Sequence, residues 1–253
     1  MNFFVVIPAR IGSTRLPRKM LRDLGGFPLV RWTWQAARRS GAMRVVVATD
    51  SEEVAAACTA FGAEVRMTSA AHASGTDRAA EVAEAEGWRD DAVVVNLQGD
   101  EPLMPPTLVQ RAAQLLEDDS DAQIATLAHP LTHVEDWLNP NFVKVVRDSR
   151  GRALYFSRAP IPWPRDGVAA TPRLPPDGLA LRHMGLYAYR AGALRQFAAL
   201  PRSLLERCES LEQLRALEHG FAIAVGVVDR QPPRGVDTAD DLRVVAAQLT
   251  ASR

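Results

Sequence analysis

AVVVNLQGDEP, residues 92–102, decides the fold. Ala92–Leu97 is apolar almost without a break, with none of the polar alternation of a strand that has one wet face. Such a run belongs to a parallel strand covered on both sides. It stops at a glycine and two acids, which places Asp100 and Glu101 just beyond the strand's carboxyl end. Gly99 is read there as letting the backbone approach a ligand closely.

Working outward, the same punctuation recurs. Phe3–Ile7 is a strand and runs directly into PARIGSTRLPRK, residues 8–19. Leu29, Trp32 and Ala36 share one face of a helix over Pro28–Ser40. Val45–Thr49 is the next strand, and Asp50 with Glu53 reads as a capping box for a helix through Phe61. A short strand at Glu64–Met67, a helix over Thr76–Glu86 and a proline-opened helix over Pro105–Glu117 continue the rhythm. Alternating strands and helices predict an α/β fold, a mostly parallel sheet with helices on both faces.

The rhythm breaks after about residue 122. Phe142–Arg147 and Arg152–Ser157 flank the turn DSRG and read as an antiparallel hairpin. A proline-rich stretch, Ala159–Pro176, reads as a mobile surface loop, either a lid or a dimer contact. Arg182–Tyr189 returns as a strand, Ser210–His219 as a helix and Ile223–Val228 as the last strand. Thr238 and Asp241 form a capping box for the terminal helix.

Composition bounds the function. The chain has 253 residues, 47% hydrophobic and 24% charged, which is ordinary for a globular protein. Thirty basic residues balance thirty acidic ones, so no global field recruits nucleic acid or a membrane surface. Two cysteines make no disulfide framework, and Phe3–Ile7 is too short for a signal peptide or a membrane span. The expectation is a cytoplasmic, soluble protein without membrane insertion. Only two of the thirty basic residues are lysines, Lys19 and Lys144, and a compact ammonium is not interchangeable with a guanidinium in a tight site.

Three clusters carry chemistry. In the first loop Arg10, Arg15, Arg18 and Lys19 repel one another unless an anion sits among them. Backbone amides around Gly12–Thr14 could cradle phosphates while Arg10, Arg15 and Lys19 neutralise them. Neither common phosphate-loop fingerprint is present, which disfavours a dinucleotide-dependent oxidoreductase. At the second cluster Asp100 reads as a magnesium ligand and Glu101 as structural, because magnesium on nucleotide phosphates needs only one or two protein carboxylates. The third is RGVDTADDL, residues 234–242, where the capping box leaves Asp237 free to act as a second carboxylate.

These segments, with HASGTDR at 72–78, NPNFVKVV at 139–146, ALYFSRAPIPWPRD at 153–166, RHMGLYAYR at 182–190 and LEQLRAL at 211–217, resemble the 3-deoxy-manno-octulosonate cytidylyltransferase family over nearly the whole chain. The sequence departs at Arg18-Lys19-Met20, where the family carries a Gly and a Pro around the Lys, and in the variable loop 167–178. The resemblance implies a single nucleotidyltransferase domain over 1–253 with a Rossmann-like fold, and a small antiparallel insertion at about 129–190 used for dimerisation. It implies CTP and 3-deoxy-manno-octulosonate (Kdo) as substrates, CMP-Kdo and pyrophosphate as products, magnesium as cofactor and a homodimer. Carried over by position, Lys19, Asp100 and Asp237 would be catalytic, the two aspartates holding magnesium. Ala9, Arg10, Ser13, Arg15, Lys19, Ser74, Arg78 and Gln98 would bind the nucleotide. Gln98, Arg158, Arg165, His183, Tyr187, Glu209, Glu212 and Gln213 would meet the sugar. His72, His129, His133 and His219 read as structural. The rivals are the same chemistry on sialic acid or another sugar acid, and a non-catalytic nucleotide-binding domain of the same fold.

Overall fold

The computed structural model describes residues 1–165, 173–176, 178–229, 231 and 233–251. Eleven strands are described: β1 (Phe3–Pro8), β2 (Asp23–Leu24), β3 (Phe27–Pro28), β4 (Arg44–Thr49), β5 (Glu64–Met67), β6 (Val93–Asn96), β7 (Ile124–Pro130), β8 (Lys144–Arg147), β9 (Ala153–Ser157), β10 (Leu181–Arg190) and β11 (Ile223–Val227). Between them run α1 (Leu29–Arg39), α2 (Glu52–Ala60), α3 (Gly75–Ala85), α4 (Pro106–Asp118), α5 (Val134–Leu138), α6 (Ala191–Ala199), α7 (Leu204–Glu209), α8 (Gln213–Glu218) and α9 (Ala239–Ala251). Among the described residues no helix is long and apolar enough to cross a membrane.

Two compact units result. The first comprises Met1–Gln114, Ala188–Ala198 and Pro232–Arg253, and the second Leu115–Tyr187 and Ala199–Gln231. In the first, β6, β1, β4 and β5 lie side by side, all parallel, with Val5 opposite both Val45 and Val95. Val6, Ile7, Val46, Val47, Val94 and Val95 are fully buried, which is why these runs lack alternation. The carboxyl ends of β1, β4 and β6 therefore share one edge.

In the second unit β11 pairs parallel with β7, and β7 neighbours β10. The expected hairpin is present: β8 pairs antiparallel with β9, and β10 pairs antiparallel with β8. Most of the 129–190 insertion falls in this unit, which also takes in β7, α7, α8 and β11.

The structure differs from the sequence reading at several places. The helix expected over Ser210–His219 is the shorter α8, Gln213–Glu218, and a separate helix not read from the sequence, α7, precedes it and ends at Ser210, which adopts a left-handed conformation (φ 52°). The strand β7 and the helix α6 have no counterpart in the sequence reading. The cap of α2 is Ser51, whose hydroxyl accepts from the Val54 N–H, not Asp50. At Gly99 the close neighbour is protein: a Cβ there would lie 2.7 Å from the Pro8 carbonyl oxygen and 2.8 Å from the Met20 sulfur. The proline-rich stretch 159–176 lies partly outside the described residues, at 166–172.

Candidate active site

The edge of the first unit holds a cavity of about 300 Å³, at the small end of the range for ligand pockets. Its walls come from three strand–helix junctions. The loop after β1 contributes Arg10, Gly12, Ser13, Thr14, Arg15 and Lys19, the loop before α3 contributes His72 to Gly75, and β6 leads into Gln98, Gly99 and Asp100. Asp237, just before α9, completes the wall.

Opposite charges meet at one end. Lys19 Nζ donates to Asp100 Oδ2 at 2.6 Å and to Asp237 Oδ1 at 3.0 Å, and Arg15 Nη2 donates to the same Asp237 oxygen at 3.0 Å. Lys19 is buried, which works against its charged form, but the two carboxylates outweigh that and hold its pKa above the ordinary lysine value. Beside them Glu101 is pushed toward its neutral form. Burial, reinforced by the charges of Asp100 and Asp237, raises its carboxyl to about 8.

The terminal capping box is formed, since the Thr238 N–H donates to Asp241 Oδ2 at 2.9 Å and the Asp241 N–H to Thr238 Oγ1 at 3.2 Å. Asp237 is therefore not the helix cap, and its side chain stays 45% exposed toward the cavity. Two carboxylates already surrounding a single cation form a donor set that fits magnesium arriving on phosphate oxygens, which keeps several of its own waters.

The other nucleotide candidates divide. Arg10 and Ser13 line the cavity, and Ser13 also accepts the Leu16 N–H at 3.3 Å. Ala9 is buried beneath the loop, its N–H donating to Ala48 O and its carbonyl accepting from Thr49 Oγ1. Ser74 lines the cavity as the N-cap of α3, in a capping box with Asp77. Gln98 reaches back to Asn96 Oδ1 at 3.4 Å. Arg78 touches the cavity but is only 2% exposed, with its guanidinium engaged by Thr68 and by Asp50 Oδ2. His72, read as structural, also lines the wall, where its ring pairs with Glu81.

The sugar candidates other than Gln98 lie in the second unit. Glu209, at the end of α7, accepts from Ser157 Oγ at 2.8 Å, Tyr155 OH at 3.3 Å and the Arg158 N–H at 2.6 Å. Arg158 in turn donates from Nε to the Glu209 carbonyl at 2.7 Å and from Nη1 to the Pro140 carbonyl at 3.0 Å. Lys144 ties the same corner together, with its ammonium on the carbonyls of Asn139 (3.0 Å), Phe142 (2.6 Å) and Arg158 (2.6 Å). His183 sits half-buried between the rings of Phe156 and Tyr187, 5.0 and 5.3 Å between centroids. Burial pushes its imidazole down to about 3, so it is neutral. The Thr126 hydroxyl has one proton, which the Leu186 carbonyl takes at 2.8 Å. His183 Nε2, 2.9 Å from that oxygen, must then be the donor, and Nδ1 is left as an acceptor. Gln213 is buried at the start of α8, Glu212 is half-buried beside it, and Arg165 is exposed.

The profile of a family described as Cytidylyltransferase matches residues 4–223. A protein of Halorhodospira halophila named 3-deoxy-manno-octulosonate cytidylyltransferase is 54% identical over 99% of this chain and 98% of its own length. One of Pseudomonas fluorescens with the same name is 52% identical over 98% of each chain. The solved structure of CMP:2-keto-3-deoxy-manno-octonic acid synthetase complexed with CTP superposes with a TM-score of 0.89 at 40% identity, covering 100% of this chain and 99% of that one. The chain belongs to the 3-deoxy-manno-octulosonate cytidylyltransferase family.

Proposed function

We propose that this protein transfers CMP from CTP to the anomeric hydroxyl of Kdo, giving CMP-Kdo and pyrophosphate for lipopolysaccharide biosynthesis. The observation that carries the reading is the meeting of Arg15, Lys19, Asp100 and Asp237 in one cavity of a fold that, in a structure 40% identical, holds CTP. The enzyme works in the cytoplasm as a homodimer and requires magnesium, held by Asp100 and Asp237. Bound there, the ion would neutralise triphosphate charge and acidify the attacking hydroxyl.

Arg10, Ser13, Arg15 and Lys19 bind the triphosphate. On its arrival Arg15 and Lys19 exchange carboxylate partners for phosphate oxygens, so both cations are already in place when charge develops. The C2 hydroxyl oxygen of Kdo attacks the α-phosphorus in line, the bond to the bridging oxygen breaks, and pyrophosphate leaves. Such transfer depends on positioning and charge neutralisation, which a basic loop facing two carboxylates supplies. On the acceptor side Arg158, Arg165, His183, Tyr187, Glu209, Glu212 and Gln213 contribute. His183 accepts a sugar hydroxyl through Nδ1, and Glu209 holds the Arg158 backbone.

The test is pyrophosphate release with each nucleoside triphosphate, with and without Kdo and magnesium. Release is expected only with CTP, Kdo and magnesium together. Equal turnover with sialic acid would shift the acceptor, and release without any sugar would remove the transferase reading.

A further inference from the structure

Asp50 follows the last residue of β4, and its pattern with Glu53 is that of a helix cap. Ser51 takes that position, which leaves the Asp50 carboxylate to do something else. One oxygen accepts the backbone N–H of Ile11 at 3.2 Å, inside the basic loop after β1. The other accepts Nη2 of Arg78 at 3.0 Å, on the first turns of α3. The side chains of Asp50 and Arg78 are 13% and 3% exposed, so solvent screens the pair weakly.

Two of the segments that line the cavity are thus tied to one carboxylate. Ile11 directly precedes the lining residues Gly12–Arg15, and Arg78, itself a lining residue, lies one helical turn beyond Ser74 and Gly75, which also line the cavity. Thr68 completes the brace: it bonds Arg78 through its hydroxyl, and its N–H donates to the Thr49 carbonyl at 2.8 Å.

We infer that Asp50 is a positioning residue of the nucleotide site, a strut that sets the separation between the β1 loop and the start of α3 and acts through Ile11 and Arg78 rather than by touching substrate. This rests on the cavity being the CTP site, and it specifies which part of CTP is affected. The strand order β6-β1-β4 puts Asp50 two strand spacings, about 10 Å, from the junction after β6 that carries Asp100. Lys19, Asp100 and Asp237 occupy the polyphosphate end. Arg10, Ser13 and Arg15 of the β1 loop belong to that end as well, so it is the α3 wall held through Arg78, with Ser74 and Gly75, that we assign to the part of the nucleotide common to CTP and CMP.

The experiment is calorimetric binding of CTP and of CMP to the full chain carrying Asp50→Asn, Arg78→Gln or both, with the Michaelis constant for Kdo and the thermal melt of each. Asparagine keeps an acceptor for the Ile11 N–H and removes both the charge and the acceptor facing Arg78, placing an amide N–H there instead. Asp50→Asn should raise both dissociation constants by the same factor, about tenfold, and leave the Kdo constant within about twofold. Because Asp50 acts through Arg78, the double variant should bind no more weakly than the weaker single one. A lowered melt with unchanged nucleotide binding, a loss for CTP alone, or additive losses in the double variant would overturn the inference. Failure of the unmodified protein to bind CTP would instead overturn the site reading beneath it.

Discussion

Arg18 has a backbone that its side chain opposes. It adopts φ 56° and ψ 36°, the left-handed region, immediately before Lys19. A residue with a Cβ pays roughly 1–2 kcal/mol there, which glycine avoids. The guanidinium reaches Glu53, but both side chains are more than half exposed, and such a pair is worth about 0–1 kcal/mol. Glycine adds back about 0.5–1 kcal/mol of unfolded-chain entropy. The terms nearly cancel, so Arg18→Gly should change stability by no more than about 1–1.5 kcal/mol in either direction, read from the denaturant midpoint, with CTP turnover retained. A loss of more than about 1.5 kcal/mol would show that the ion pair with Glu53 outweighs the backbone. The departure from the family at this position is thus a tolerated strain next to the site, not a change in the site's chemistry.

Among the elements, β10 carries the clearest pH signature. His183 titrates at about 3 in the folded protein against an ordinary 6.5. Between those values the unfolded chain binds the extra proton and the native chain does not, so stability falls as pH is lowered from about 6.5 toward 3 and is unaffected above 6.5. His183→Gln keeps a donor for Thr126 and cannot titrate. The melting temperature of the unmodified protein, relative to this variant, should hold steady above pH 7 and decline as pH drops through that window. A pH-independent difference would mean that the imidazole between Phe156 and Tyr187 stays accessible to protons.

For the whole molecule the formal charge is zero, so attraction for a triphosphate is a property of one cavity rather than of the surface. In that cavity Arg15 and Lys19 are already paired with Asp100 and Asp237, and Arg10 adds a further positive charge to the wall. A triphosphate alone would take Arg15 and Lys19 away and leave Asp100 and Asp237 bare, while a divalent ion arriving with it satisfies both sets. CTP with magnesium, at about 100 times its dissociation constant, should stabilise the chain by about 2.7 kcal/mol, a rise in melting temperature on the order of 5–10 °C for a chain of this size. With a chelator present the shift should be much smaller, and Asp237→Asn should narrow the gap between the two conditions. An equal shift with and without magnesium would remove the two aspartates as its ligands.

Much of the fold was legible because local chemistry repeats along the chain. Unbroken valine runs at β1, β4 and β6 mark strands covered on both faces, DSRG marks the hairpin of β8 and β9, and Thr238 with Asp241 marks the start of α9. From β1, β6 and α9 the shared edge follows, and with it the grouping of Arg15, Lys19, Asp100 and Asp237. Only the tertiary structure settled what depends on partners distant in the chain. Asp50 carries the local pattern of a cap, yet a nearby serine can cap a helix as well, and its real partners lie 39 and 28 residues away. Gly99 is needed for the close passage of the Pro8 carbonyl, which no neighbour in sequence foretells. The partners of Arg78 and Glu209 within the protein, Thr68 and Asp50 for the first and Tyr155, Ser157 and the Arg158 N–H for the second, are likewise brought near only by the fold.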